Sequence, residues 1–405
     1  MPFKLQELAA HPNALAPHYS RFRVGERLLL DGHSHQAWPD CAREGQLEAW
    51  DDAATLGGEK WERAFAKADR VRQSFASLLD DPEGLYALGS NTHELVLRFL
   101  SALPLPQRRQ LITTTGEFHS IRRQLQRLEE AGVEVLWVDA EPTSSLSERL
   151  AEAVSDRTAA VLASVVLFKT GSIVHELERV LKACSRQGAE LLVDTYHALN
   201  VVPFSMRDES LEGAFAVGGG YKYCQLGEGN CFLRIPPGRT FRPVITGWYS
   251  EFTALSSASA DGSVAYGRGA DAFAGATYDP TSHYRASRVF DFFQEQGLRP
   301  ELLRDVSQHQ VRLLISAFDD LELDPDVLRR DRSVEPSEIG GFLALRSRQA
   351  DEIRRRLAGA GVATDSRGDW LRFGPAPYLS DRQILDSIEI LAAVIRDLEA
   401  GRGRT

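Results

Sequence analysis

Short apolar runs punctuate the chain, and between them polar and apolar positions recur with helical spacing. The runs at 84–88, 110–114, 133–138, 159–167, 190–194, 213–217 and 231–235 are strand-length and nearly all apolar, which predicts strands buried on both faces. Stretches at 94–103, 121–131, 146–154 and 173–187 carry the period of amphipathic helices. Strand–helix alternation of this kind predicts an α/β fold built on a mainly parallel seven-stranded sheet covered on both faces. Past about residue 281 the pattern changes. Helical segments at 284–296 and 300–319 lead to a strand at 341–345, a helix at 348–358, a strand at 370–373 and a last helix near 380–398, which reads as a smaller α+β domain. The expected division is a segment 1–44 packing with the small domain, a large α/β domain over 45–285, and the small domain over 286–405.

The chain has 405 residues, enough for two or three domains and a sizeable core. Lys plus Arg number 47 against 57 for Asp plus Glu, a net charge of −10. That balance lacks the basic footprint of a nucleic-acid binder. The four cysteines (Cys41, Cys184, Cys224, Cys231) form no CxxC pair, which argues against a cysteine zinc site and for reduced thiols in a cytoplasmic protein. No apolar run reaches membrane-spanning length, and the N-terminal residues lack the charge-then-apolar order of a signal peptide, so no membrane association is expected.

In parallel α/β sheets ligands bind beyond the carboxyl ends of the strands. Ser90-Asn91-Thr92 follows the first run and supplies hydroxyl, amide and N–H groups at a helix start, a plausible phosphate cradle. Glu117-Phe118-His119 follows the second. Asp194 closes an apolar strand, where a carboxylate is costly unless paired or exposed in a cleft, and His197 lies three residues on. Gly218-Gly219-Gly220 leads into Tyr221 and Lys222 after the next strand. The glycine run matches neither GxGxxG nor the P-loop spacing, which excludes dinucleotide and P-loop readings. His33 and His35 are spaced to share one face of an extended segment, but no third metal ligand lies near them, so they read as lining a substrate pocket, with no metal.

Asp194-x-x-His197 followed by Gly-Gly-Tyr221-Lys222-Tyr223 resembles the core of fold-type-I enzymes that use pyridoxal phosphate (PLP), and more narrowly the kynureninase family of the class V aminotransferase-like group. Further segments resemble that family in order along the chain: Asp31-Gly32-His33-Ser34, Phe168-Lys169-Thr170-Gly171, Gly247-Trp248-Tyr249, Phe273-Ala-Gly-Ala-Thr277, and Asp365-Ser-Arg367 through Arg372-Phe-Gly-Pro-Ala-Pro-Tyr378. The resemblance implies a PLP-dependent transferase-like fold and a homodimer with shared active sites. It also implies a hydrolase that cleaves the Cβ–Cγ bond of kynurenine or a related β-acyl alanine to alanine and an anthranilate-type acid.

The same resemblance assigns roles. Lys222 carries the cofactor as a Schiff base and moves the Cα proton, Asp194 pairs with the pyridine nitrogen, and Tyr221 is a candidate proton relay. His197 supports Asp194 or the ring oxygen, or is a buried structural histidine. Ser90, Asn91, Tyr221 and Trp248 are phosphate ligands, with Thr277 reaching in from a partner subunit and Thr170 also on the cofactor. Phe118 stacks on the ring, unless the stacking position lies slightly earlier, at Thr114. Arg372 forks onto the substrate α-carboxylate, with a surface ion pair as the bland alternative. His33, Ser34 and His35 line the substrate edge. The family has Thr at the position of Asn91, Asn and Leu at those of His33 and His35, and Gly at that of Gln36, so the departures fall mainly on substrate recognition. A PLP aminotransferase or lyase needs the same Lys, Asp and Arg. A desulfurase needs a nucleophilic cysteine in a late loop where this chain has none, and a non-catalytic binder needs no Lys222 at all.

Overall fold

The computed structural model describes residues 3–255 and 263–402. Seven strands form the main sheet: β1 (Leu85–Gly89), β2 (Gln110–Thr114), β3 (Glu134–Val138), β4 (Thr158–Ser164), β5 (Glu190–Asp194), β6 (Phe215–Gly219) and β7 (Cys231–Ile235). Their order is β1-β7-β6-β5-β4-β2-β3, with β7 antiparallel to both its neighbours and the remaining pairs parallel. β2, β4, β6 and β7 are buried throughout and β5 all but its last residue, whereas the edge strands β1 and β3 are partly exposed. Apolar runs without alternation are what such two-sided burial requires.

Helices α1 (Cys41–Leu56) and α2 (Lys60–Leu78) precede the sheet; α3 (Thr92–Ser101), α4 (His119–Glu130), α5 (Leu146–Ala153) and α6 (Leu177–Gln187) connect its strands. Neither α1 nor α2 stands out in the sequence pattern, although α1 packs closely on α7 (Thr281–Gln296): a Cβ on Gly45 would meet the Tyr284 carbonyl at 2.6 Å. After α7 come α8 (Pro300–Asp319), α9 (Ala350–Gly359), α10 (Asp381–Arg402), and a second antiparallel sheet of order β9-β10-β8 from β8 (Leu343–Arg346), β9 (Asp365–Arg367) and β10 (Trp370–Phe373).

The residues before α1 lie against this second unit. Leu28 and Leu29 pair in parallel with Val362 and Ala363, Asp31 bridges Gly374, and Gln383 donates to the carbonyls of Val24 and Arg27. Two boundaries differ from the sequence pattern for one reason. The apolar run expected as a strand over 159–167 leaves the sheet at Ser164, and residues 165–174 fold back on themselves, with Val166 opposite Ile173 and Val174 donating to Val165. That buried turn also delays the following helix to Leu177. No helix among the described residues is long and apolar enough to cross a membrane.

Candidate active site

The sequence pattern ends the strand before Lys222 at residue 217, with the glycines in the loop. Instead β6 runs through Gly218 and Gly219, because only residues without side chains fit there. A Cβ on Gly218 would meet Thr195 Oγ1 at 2.6 Å, and one on Gly219 the Tyr196 hydroxyl at 2.5 Å. The glycines therefore bring the end of β6 close to the residues that follow β5, and the next turn delivers Tyr221 and Lys222.

Lys222 is 5% exposed, with Nζ 2.7 Å from His197 Nε2. Its Nζ also lies 4.8 Å from the ring centre of Tyr196 and 5.3 Å from that of Phe118. Burial lowers the amine from its ordinary value to about 7, with the Asp194 carboxylate opposing the shift. His197 is held well below the usual imidazole range by burial and then by the charge of Lys222, so it is neutral near pH 7. The pair therefore shares one hydrogen bond with at most one proton in excess.

Asp194 ends β5 half-buried, with Oδ1 accepting from the Tyr196 N–H at 2.9 Å. Burial raises its pKa, while that backbone hydrogen bond and the Lys222 charge pull it down. His197, expected to support Asp194 or a ring oxygen or else to be a buried structural histidine, makes its hydrogen bond to Lys222. Residues 195–199 make a helical turn, with the N–H groups of Ala198 and Leu199 on the Thr195 carbonyl, and this aims His197 Nε2 at Lys222 while its Nδ1 has no hydrogen bond among the described residues.

Phe118, the residue before α4, lines the same pocket, edge-on to Phe168 at 5.3 Å. The alternative stacking position, Thr114, is buried and its hydroxyl is committed to Glu117, so it presents nothing to the pocket. Glu117, to which the sequence pattern assigns no role, is 1% exposed and receives hydrogen bonds from Thr114 and Ser164; burial still pushes it up to about 7. Thr92, part of the Ser90-Asn91-Thr92 helix start, lines the pocket, as do Ser164 and Tyr196, to which the sequence pattern assigns no role. The free space is about 20 Å³, near the volume of one water, so a larger guest displaces flexible side chains, of which the Lys222 stem is the longest.

The other residues expected at the cofactor make the following contacts in the single chain. Asn91 caps α3, its Oδ1 accepting from the Glu94 N–H at 2.9 Å, so the amide is used locally while Thr92 reaches the pocket. Ser90 and Thr277 open on a neighbouring cavity of about 710 Å³ within the same chain. Trp248, 42% exposed, packs on Tyr249 and Phe252. The Thr170 hydroxyl closes its own turn on Ser172 at 2.9 Å.

Arg372 on β10 is buried, which removes the surface ion pair as an explanation, yet it is not a free fork either. Nη2 donates to Asp365 and Nη1 to the Phe168 carbonyl, while Nε has no hydrogen bond among the described residues. Asp365 also accepts from Arg367 at 2.6 Å, so one carboxylate holds two guanidinium groups. His33 and His35 do not share a face, because residues 31–35 form a turn, with Ser34 and His35 donating to the Asp31 carbonyl, instead of an extended segment. His33 is fully buried against Phe342, its ring nitrogens without a hydrogen bond among the described residues and Nε2 3.9 Å from the Asp365 carboxylate. His35 stacks on Tyr221 at 4.9 Å, and Ser34 lies at an open rim with Asp365 and Arg367.

Residues 60–224 match the model of the family described as aminotransferase class-V. A kynureninase of Xanthomonas oryzae is 27% identical over 248 residues, 55% of this chain and 57% of that protein, so the match spans little more than half the relative's length. A cysteine desulfurase of Nostoc is 22% identical over 356 residues, 85% of each chain. Among solved structures, a C-DES mutant with glycine covalently linked to its PLP cofactor superposes with a TM-score of 0.79 at 16% identity, covering 93% of this chain and 98% of that one. The fold is thus that of the PLP-dependent, fold-type-I, class V enzymes, and the kynureninase resemblance extends beyond short motifs.

Proposed function

We propose that this chain, a class V fold built around a buried lysine, is a PLP-dependent enzyme acting on a small amino acid. More narrowly, we read it as a kynureninase-like hydrolase that cleaves the Cβ–Cγ bond of kynurenine or a related β-acyl alanine. The observation that carries the reading is Lys222, an amine lowered to about 7 within 2.7 Å of a neutral histidine, beside a strand-end carboxylate and an aromatic face.

The side chains fit the cofactor. Lys222, an amine biased toward its neutral form, would hold the cofactor's aldehyde carbon. Asp194 offers a carboxylate for a protonated ring nitrogen, Phe118 a face for the ring, and the start of α3 with Ser90 the N–H and hydroxyl groups a phosphate requires. The unpartnered His197 Nδ1 and Arg372 Nε are buried polar atoms still in need of hydrogen bonds. When bound, PLP supplies the electron sink that stabilises negative charge at the substrate Cα. Lys222 Nζ, neutral in much of the population near pH 7, takes and returns the Cα proton, and His197 Nε2 keeps that nitrogen directed into the pocket. The Tyr221 hydroxyl, pushed by burial up to about 12, keeps its proton at neutral pH and so acts as a donor in relay. Arg372, locked in place by Asp365 and the Phe168 carbonyl, presents its Nε–H to the substrate carboxylate.

The kynureninase match and the motifs shared along the chain favour the hydrolase. The second reading, a PLP aminotransferase or C–S lyase, is supported by the longer though weaker desulfurase match. A persulfide-forming desulfurase finds no support in the thiols: Cys184, Cys224 and Cys231 are buried, and burial holds the Cys41 thiol up at about 12. We further infer a homodimer, because Trp248 and Thr277 lie on exposed surface that a second copy would complete into shared sites, and a cytoplasmic location in keeping with four unpaired thiols. The deciding test adds kynurenine and then 3-hydroxykynurenine to PLP-loaded protein. Anthranilate-type product with alanine, lost in Lys222→Ala, supports the hydrolase; keto-acid formation from other amino acids without it favours the second reading.

A further inference from the structure

Glu117 sits between the end of β2 and the start of α4, where a carboxylate is costly to bury without partners. Its partners come from two strands. Thr114 Oγ1, on the last residue of β2, donates to Oε1 at 2.8 Å. Ser164, the last residue of β4, donates its N–H to Oε1 at 3.1 Å and its hydroxyl to Oε2 at 2.6 Å. Thr114 Oγ1 in turn accepts from the Gly116 N–H at 3.1 Å, which closes the turn leading to Phe118. Ser164 is in register with Asp194 at the end of β5 and itself lines the Lys222 pocket. One side chain therefore joins the turn that carries Phe118 to the strand end beside Asp194. All of its partners are neutral, so an ion pair does not account for a carboxyl at this position.

We propose that Glu117 is a positioning residue for the cofactor: its carboxyl ties Ser164 to the Thr114–Phe118 turn, fixes Phe118 and Asp194 relative to Lys222, and thereby sets the affinity for PLP. The proposal rests on the PLP reading above. Glu117 does not line the pocket, so it acts through Phe118 and Ser164. A side chain of the same shape that still accepts the Ser164 N–H, as glutamine does, preserves most of the tie; alanine removes all of it.

The experiment measures PLP dissociation constants and the visible band of bound cofactor for wild type, Glu117→Ala and Glu117→Gln, with thermal unfolding of the PLP-free proteins alongside. Loss of a charged hydrogen-bond acceptor corresponds to about a tenfold weaker PLP affinity in Glu117→Ala, with an altered band. Rescue to within about threefold is expected in Glu117→Gln, which keeps the acceptor toward Ser164. Equal affinity in wild type and Glu117→Ala, or equal weakening in both variants, overturns the proposal. If Glu117→Ala does not fold, Thr114→Val takes its place, since it removes the donor to Glu117, with the acceptor of the Gly116 N–H, at a residue that does not line the pocket; unchanged PLP affinity there overturns the proposal and a severalfold loss supports it. Wild-type protein that takes up no PLP overturns the cofactor reading as well, an outcome distinct from failure of Glu117 alone.

Discussion

Lys222 Nζ stands 2.7 Å from His197 Nε2 in a buried aromatic pocket, and both groups are biased toward their neutral forms. Because burial depresses the amine to about 7, its reactive neutral form dominates above that pH and is lost as the pH falls below it. The rate of PLP uptake by the cofactor-free protein is therefore expected to be about tenfold lower at pH 6 than at pH 8. Stopped-flow absorbance checks this. A rate that climbs only above pH 9 means that the lysine is not depressed.

Asp365 holds Arg372 and Arg367 together, and both Arg372 and Asp365 are largely buried. Removing one partner of a buried pair leaves an uncompensated charge, which costs about 3 kcal/mol. Asp365→Ala is expected to unfold at correspondingly lower urea and to raise KM for the amino acid, because Arg372 loses the group that orients it. Arg372→Lys keeps the charge but loses the planar guanidinium, so it should raise KM by about tenfold or more while leaving PLP binding intact. Steady-state kinetics with a PLP titration separates the two effects; unaltered KM in both variants removes Arg372 from the substrate site.

Buried parallel strands advertise themselves as unbroken apolar runs, so the sheet and the strand-end placement of Asp194 and Lys222 are legible in the sequence. What the pattern hides depends on contacts distant along the chain. Glu117 looks like an ordinary loop acid until Ser164, 47 residues later, closes on it. His33 and His35 look like a pair with period 2, but the turn at residues 31–35 separates them, and Gly374 leaves just the space His33 fills: a Cβ there would meet His33 Nδ1 at 2.2 Å. The role of Trp248 and Thr277 is not a property of a single chain if a second copy completes the site.

Gly219 tests how the glycine run works. A Cβ there would meet the Tyr196 hydroxyl at 2.5 Å and Cys231 Sγ at 2.6 Å, side chains that are themselves buried. Gly219→Ala is therefore an overpacking change expected to cost roughly 1–3 kcal/mol. Tyr196 also lines the Lys222 pocket, so the displaced ring should weaken PLP binding along with stability. Gly132→Ala is the contrasting control: its positive φ strains the backbone, but nothing lies within 4 Å of the added carbon. It should lower the unfolding midpoint without changing PLP affinity. Equal PLP affinity in both variants would sink the idea that close packing at Gly219 shapes the site.

The apolar surface around Trp248 carries the remaining prediction. Val244 is 83% exposed, and Ile245, Phe252 and Leu255 are about half exposed, a concentration of apolar side chains that a lone soluble chain rarely leaves bare. A second copy covering this face would bury them and bring Trp248 and Thr277 toward the partner's cofactor. The expected mass in sedimentation equilibrium is twice 44.9 kDa. Ile245→Asp places a charge in that contact and should shift the protein toward monomer. If the sites are shared, the same change should also speed PLP loss, although Ile245 does not line the Lys222 pocket. A wild-type chain that sediments as a monomer at micromolar concentration with full activity would show that one copy suffices, and a dimeric Ile245→Asp with normal PLP retention would move the interface elsewhere.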